Sequence, residues 1–593
     1  MTERIRKFLI CITCALAMVA GSGCAASGAG GGHQIERHVY PFYLGQQDNG
    51  EQTDTVDALP DESTPTDEQQ AASQEKGDGL TEMPLYFIDG HTDIPYLAVS
   101  DWTKFEATGY PVECQTEGVK SVVTRTDTGY TVTFDASKDT ITFFDYNAFF
   151  QRPDSQVLVS GASSSRLPED NENEVFSATE ASYNRNGKEV VFELAPYSID
   201  IVDADGECLV PLQTISDIAL SYQGVRMYFN GNCIAFGDEA ISMVTEADET
   251  PKTELSKELA AFNYNEFCFL MDNFYGLKDT HGIVNFDAFF DEVGLREALS
   301  STDPQEVDDA LYDLLSLHLD DIHSTYDYAS PLAGPNYMPQ NARDNVHGFS
   351  RVTNDAVEDL YKDTRASYYP DGCPAYEEVG NTAFITFDKF LRTADNYYEQ
   401  DVSLDSGDTI ELIHEAHEQI TRKNSPIQNV VIDLSCNTGG SADTAVFATG
   451  WFLGEAPVAM RDTLSGGMSI GMFRVDTNFD HAFNELDELG DRNLYCLISP
   501  VSFSCGNLVP AIFKQSARVT LLGRKTYGGS CIVFNASNAI GSRFAISGNT
   551  QCSFPKNGAF YNIDQGIDPD YPLSNPKSYF DRASLVEYLN ELK

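Results

Sequence analysis

Two short segments in the C-terminal half carry residue types that could do chemistry. The first is Val430-Val431-Ile432-Asp433-Leu434-Ser435-Cys436-Asn437-Thr438-Gly439-Gly440. An apolar run passes into Asn-x-Gly-Gly. Paired glycines let the backbone turn sharply and bring N–H groups close to a bound group, which suits an oxyanion hole. The same glycines also fit a plain strand-to-helix turn. The second segment is Leu497-Ile498-Ser499-Pro500-Val501-Ser502-Phe503-Ser504-Cys505-Gly506-Asn507. A serine between a strand end and a helix N-terminus projects its hydroxyl from the turn. The helix dipole and the first free N–H groups there favour a developing negative charge. Such a serine can equally be an ordinary N-cap, and this applies to Ser502 as well as to Ser504.

The elements that must position these residues follow from periodicity. From about Thr253 to Tyr326 the pattern is helical: Leu255, Leu259, Phe262, Phe267 and Leu270 fall near a 3.6-residue period, as do Val307, Leu311, Leu314, Leu315 and Leu317. A Pro-containing loop follows. From about Tyr376 to Lys593 strands alternate with helices, as in α/β domains. Ala383–Phe387, Val430–Leu434, Leu494–Ile498 and Val519–Gly523 read as strands, and Ile410–Arg422 as a helix. The serine segment thus follows one strand and precedes another, which leads to Lys525-Thr526-Tyr527-Gly528-Gly529-Ser530.

Taken together, the segments resemble the C-terminal processing (tail-specific) and tricorn-like family of serine peptidases. That family has a strand ending in Asp-Leu-Arg-x-Asn-x-Gly-Gly, then Ser-Ala-Ser-x-Glu, then Gly-x-x-Thr-x-Gly. The matches are Asp433, Leu434, Asn437, Gly439 and Gly440, then Ser502-Phe503-Ser504, then Gly523, Thr526 and Gly528. The closing signature Gly-Ile-x-Pro-Asp stands as Gly566-Ile567-Asp568-Pro569-Asp570, and Leu319-Asp320-Asp321-Ile322-His323-Ser324 resembles Leu-Asp-Asp-x-His-Thr/Ser. These ordered motifs cover about Thr253 to the C-terminus. The resemblance implies an α/β catalytic domain of the crotonase-like ββα type at 346–593, with a helical segment at 248–345.

The family's pattern implies Ser504 as nucleophile and puts the catalytic lysine of the processing peptidases at Gly529, so that lysine is absent here. Lys525 lies four residues earlier, at a different position. Branches with a histidine base take it from the region of His323, and an imidazole with a pKa near neutrality can accept the serine proton. A third member would orient the imidazole. Asp564 is the first candidate, by its nearness to the closing signature, and Asp320 and Asp321 are local alternatives. The oxyanion donors implied are the N–H groups of Cys505 and of Gly439 or Gly440. Ser435 replaces the family's Arg, and no PDZ-like insertion separates the helical segment from the catalytic domain. Cys505 as nucleophile, or paired with Cys531 in a disulfide, are further readings.

The chain has 593 residues, enough for several domains, and its 38 Lys+Arg against 91 Asp+Glu give a formal net charge of −53. Such an acidic chain repels phosphate backbones, so no nucleic-acid partner is expected. At the N-terminus Arg4, Arg6 and Lys7 precede an apolar run, Phe8–Ala20, and Gly21-Ser22-Gly23-Cys24 resembles a bacterial lipobox. Residues 1–24 are therefore expected to be a lipoprotein signal peptide with lipidation at Cys24, making the mature protein extracytoplasmic. It would be lipid-anchored to the cell membrane, its only membrane contact, or secreted. Residues 25–82, rich in Gly, Ser, Gln and acids, are expected to be a disordered acidic linker. Residues 83–247 read as a β-rich module in which Ile94–Asp101 recurs as Val210–Asp217. This module resembles the N-terminal domain of copper amine oxidases. A wall component, a protein partner or a mere spacer role all fit it. No metal site and no cofactor is expected. The leading reading is a serine peptidase acting on peptides or unfolded protein segments. The alternatives are a catalytically inactive surface binding protein on the same scaffold and a cysteine hydrolase.

Overall fold

The computed structural model describes residues 33–44, 82–102, 111–150, 175–185, 187–221, 224–246, 252–394, 396–400 and 402–592. The basic leader, Cys24 and the acidic run at 61–70 lie outside these residues.

The site rests on a six-stranded sheet in the order Tyr376–Val379, Thr382–Thr386, Asn429–Asp433, Asn493–Ile498, Val519–Gly523, Tyr571–Pro572. All pairs but the first are parallel. Every residue of Asn429–Asp433 is buried, as expected of a parallel strand covered on both faces. Helices Thr409–Thr421, Ala442–Leu453 and Cys505–Phe513 pack their apolar residues with one face of this sheet in one core. Tyr361, Tyr579, Leu585 and Leu589 cover the other.

A second sheet joins three parts of the chain expected to be separate. Its path runs Thr325–Tyr328, Arg543–Ser553, Ala456–Asp462, Met468–Val475, Phe176–Arg185, with Cys531–Ser537 also on Arg543–Ser553. One strand therefore comes from the 83–247 stretch and one from the 248–345 stretch. The boundaries expected from sequence mark composition, but they do not mark independent cores. One apolar cluster runs from Phe42 through Phe143, Phe269 and Leu314 to Phe544.

The 25–82 stretch needs a further correction, because Ile35–Leu44 is a strand. It pairs antiparallel with Glu82–Ile88 and parallel with Ile234–Phe236, and Phe42 is buried. Its aromatic and β-branched residues suit a half-buried sheet, and the Gly-rich and acidic sequence on either side hid it. It sits inside a seven-stranded sheet that also holds the two copies of the repeat. Tyr96–Ala98 leads into helix Val99–Trp102, and Glu207–Pro211 leads into helix Leu212–Ile215. The two strands pair antiparallel, Leu97 opposite Val210, so the copies lie side by side. Val112–Glu117, Lys120–Arg125, Thr131–Asp135, Thr140–Phe143 and Val190–Glu193 form an antiparallel sheet beside them.

Where this N-terminal part meets helix Lys257–Phe274, two acids are buried together. Asp217 and Glu266 are each 1% exposed. Thr214 Oγ1 donates to Glu266 Oε1. Gln213 Nε2 donates to Asp217 Oδ1 at 2.8 Å and to the Ser537 carbonyl at 2.6 Å. Burial pushes both carboxyls up, Glu266 to about 8.

Candidate active site

The two informative segments leave neighbouring parallel strands at the same edge, since Asp433 pairs with Leu497. Loops at the carboxyl ends of parallel strands are where such sheets place ligands. Side chains then lock the loops together. Ser502 Oγ donates to the Leu434 carbonyl at 2.7 Å and Ser499 Oγ to the Ser435 carbonyl at 2.5 Å. Ser502 is fully buried, so it serves as a brace. Asn437 is the pivot. Its Oδ1 accepts from Gly439 N at 2.9 Å, its Nδ2 donates to the Phe387 carbonyl at 3.1 Å, and its own carbonyl accepts from Phe503 N at 3.2 Å. A Cβ on Gly506 would stand 2.5 Å from that carbonyl.

Ser504 stands at the N-terminus of helix Cys505–Phe513 with φ 54° and ψ −120°, and its side chain caps no helix N–H. A non-glycine residue at positive φ is strained, and such corners concentrate at functional sites. Ser504 N donates to the Gly528 carbonyl at 3.0 Å, which fastens the corner to the Thr-x-Gly motif. That motif is held in turn by the closing signature. Ile567 N donates to Thr526 Oγ1 at 2.6 Å, and Thr526 Oγ1 donates to Asn507 Oδ1 at 2.7 Å.

The glycine pair lies against the serine. A Cβ on Gly439 would be 2.7 Å from Ser504 Cβ and 3.3 Å from Cys505 N, and Gly439 has φ 111°. Gly439 N–H is committed to Asn437 Oδ1. The peptide N–H groups of Gly440 and Cys505 donate to no acceptor among the described residues. Of the three expected donors, these two are uncommitted among the described residues. Cys505 Sγ donates to the Gly440 carbonyl at 3.1 Å, and burial pushes its thiol well up. A neutral, donating thiol is a poor nucleophile, so the geometry disfavours Cys505 in that role. Cys505 and Cys531 are both free, and the disulfide considered from sequence is not formed.

His323 reaches the same corner. Its ring centroid is 4.4 Å from that of Phe503, the residue before Ser504. The loop carrying it is fixed by Asp321, whose Oδ1 accepts from His323 N at 3.0 Å and from Ser547 Oγ at 2.8 Å. Tyr275 Oη donates to Asp321 Oδ2 at 2.9 Å. Asp320 caps helix Phe349–Tyr368, accepting from Ser350 N at 2.6 Å. Asp564 Oδ1 accepts from Ser530 N at 2.7 Å, and its Oδ2 meets Gln551 Nε2 at 3.4 Å. Burial, and after it the charges of Asp564 and Asp321, push up the Cys531 thiol. Lys525 is exposed.

Sequence reasoning passed over Phe503, Tyr527 and Asn437 as side chains that organise the corner. One signal was available for Phe503. It is large where the family motif has Ala, while Gly529 is small where that motif has Lys.

Residues 382–573 match the model of peptidase family S41, the family that the motifs resemble. A protein of Chlamydia pneumoniae is 30% identical over 104 residues, 17% of this chain and 16% of its own length. A solved photosystem II D1 C-terminal processing protease is 18% identical, with TM-score 0.25, over 35% of this chain and 46% of that one. The tricorn protease is 11% identical, with TM-score 0.30, over 84% of this chain and 59% of that one. The chain thus spans about half or less of the first two of these proteins.

Proposed function

We propose that this protein is a serine peptidase that cleaves peptide bonds in peptides or unfolded protein segments by Ser-His catalysis. The observation that carries the reading is the strained corner of Ser504, beside two uncommitted N–H groups and with His323 packed on its neighbour. In this reading Ser504 Oγ attacks the carbonyl carbon and its proton passes to the His323 imidazole. The carbonyl oxygen takes the negative charge and is met by Gly440 N–H and Cys505 N–H. The C–N bond then breaks, and the amine leaves with the proton held by His323. Water, deprotonated by the same imidazole, releases the acyl group and restores the hydroxyl. Asp564 is the proposed third member, with Asp321 holding the histidine loop. No cofactor is called for. A crotonase-like ββα assignment of the catalytic domain belongs to the same reading, as do export and lipid anchoring at Cys24.

A fluorophosphonate probe tests it. Labelling is expected in the wild-type chain and in Cys505→Ala, and not in Ser504→Ala or His323→Ala. A wild-type chain that never labels, although folded, would favour the inactive binding protein, which Gly529 and Ser435 in place of Lys and Arg also suit. Labelling by a thiol reagent that abolishes turnover would favour the cysteine hydrolase.

A further inference from the structure

The position at which the processing peptidases place lysine is Gly529, and the space beside it is filled. A Cβ on Gly529 would stand 2.5 Å from Phe503 Cε2 and 3.1 Å from its Cδ2 and Cζ, and Gly529 has φ 89°. Any larger residue there meets one edge of the Phe503 ring. The same ring carries the His323 imidazole at 4.4 Å between centroids, the planes tilted by 45°. Tyr527 meets it edge-on at 5.5 Å and 87°. Phe503 is only 7% exposed, and its backbone is held by Asn437 and by a bridge to Gly528. The ring is therefore a fixed surface on the chain position next to Ser504.

We propose that Phe503 is a positioning residue of this site: its ring occupies the ground a lysine side chain would cross and sets the His323 imidazole toward Ser504. The inference rests on the Ser-His reading above. The ring and the hydroxyl share one rigid turn, so moving the ring moves the imidazole relative to the nucleophile. Other charged or titratable groups lie on the elements around His323. Asp320 and Asp321 lie on its own loop. Arg351 donates to the carbonyls of Ile322 and Ser324 from helix Phe349–Tyr368. Tyr527 lies across Phe503. These set the local field, while Phe503 supplies the apolar contact that fixes the ring and keeps water from one side of it.

The test is the rate of fluorophosphonate modification as a function of pH. In that step an O–P bond forms at Ser504, the P–F bond breaks, fluoride leaves and the imidazole takes the hydroxyl proton. Phe503→Leu keeps apolar bulk without a flat ring, and Phe503→Ala opens the space. Both are expected to slow modification by roughly tenfold to a hundredfold, since misplacement by about 1 Å has effects of that order. Water admitted to the imidazole favours its charged form, so the acid-side midpoint of the rate should move to higher pH. Should Phe503→Ala fail to melt cooperatively, Phe503→Leu decides alone. Modification of Phe503→Leu at the wild-type rate with an unmoved midpoint overturns the proposal. Failure of the Ser-His reading looks different: the wild-type chain does not label, or labelling survives Ser504→Ala.

Discussion

Replacing Glu266 by glutamine is expected to stabilise the chain at neutral and alkaline pH and to leave it unchanged in acid. Glu266 and Asp217 lie buried at the junction of the N-terminal part with helix Lys257–Phe274, and their hydrogen-bond donors, Thr214 and Gln213, are neutral. Glu266 Oε2 has no partner among the described residues. No cation among the described residues compensates a charge there, and burial raises Glu266 from its ordinary 4.5 to about 8. Below 4.5 the folded and unfolded chains both hold this proton, and the group contributes no pH dependence. As pH rises above that value the unfolded chain releases the proton and the folded chain keeps it. Stability then declines by about 1.4 kcal/mol per pH unit for this one group. The decline ends above a pH of about 8, where the folded carboxyl ionises too. Summed from 4.5 to pH 7, it reaches about 3 kcal/mol. Glutamine keeps the shape and the bond from Thr214 but has no proton to retain. It also relieves Asp217, whose carboxyl is raised in part by the Glu266 charge. Urea midpoints of wild type and Glu266→Gln, taken at pH 4.5, 7 and 8.5, should coincide in acid and separate progressively above it. A constant offset across the three, or a larger gain in acid than at pH 8.5, would refute a protonated buried carboxyl.

Two other substitutions probe the frame of the site. Gly440→Ala would put a Cβ 2.3 Å from the Phe390 carbonyl at φ 125°. The shift should withdraw the Gly440 N–H and slow fluorophosphonate labelling by on the order of a hundredfold, and labelling at the wild-type rate would show that this N–H is not a donor. Arg582→Met would strand the charge of Asp433, which Arg582 Nη2 meets at 2.7 Å with both side chains at most 3% exposed. Chemical denaturation should show a loss of about 3 to 5 kcal/mol, and a loss below about 1 kcal/mol would mean that the pair is not a buried ionic contact.

The motifs were legible because each is local: a strand, a turn and a few fixed offsets. Gly439 and Gly440 could be tied to an oxyanion cradle, and Ser504 to a helix N-terminus, from spacing and residue chemistry alone. The sequence could not choose between Gly439 and Gly440. That depended on Asn437 Oδ1 taking the Gly439 N–H, a side-chain contact no spacing encodes. Nor could it separate Ser502 from Ser504 without the family register. The structure buries the first under Leu434 and leaves the second at a strained corner. The strand Ile35–Leu44 was missed because its partners, Glu82–Ile88 and Ile234–Phe236, lie far along the chain. Strand identity depends on such distant neighbours more than helix identity does. The same holds for Phe176–Arg185 and Thr325–Tyr328, which join a sheet made mostly by residues beyond 450. The exchange of a lysine for Gly529 was visible as a loss in the sequence, and only packing revealed that the Phe503 ring fills the space and carries His323. Local chemistry follows from short-range covalent order, whereas the packing of His323 on Phe503, the neighbour of Ser504, depends on which distant surfaces exclude water from one another.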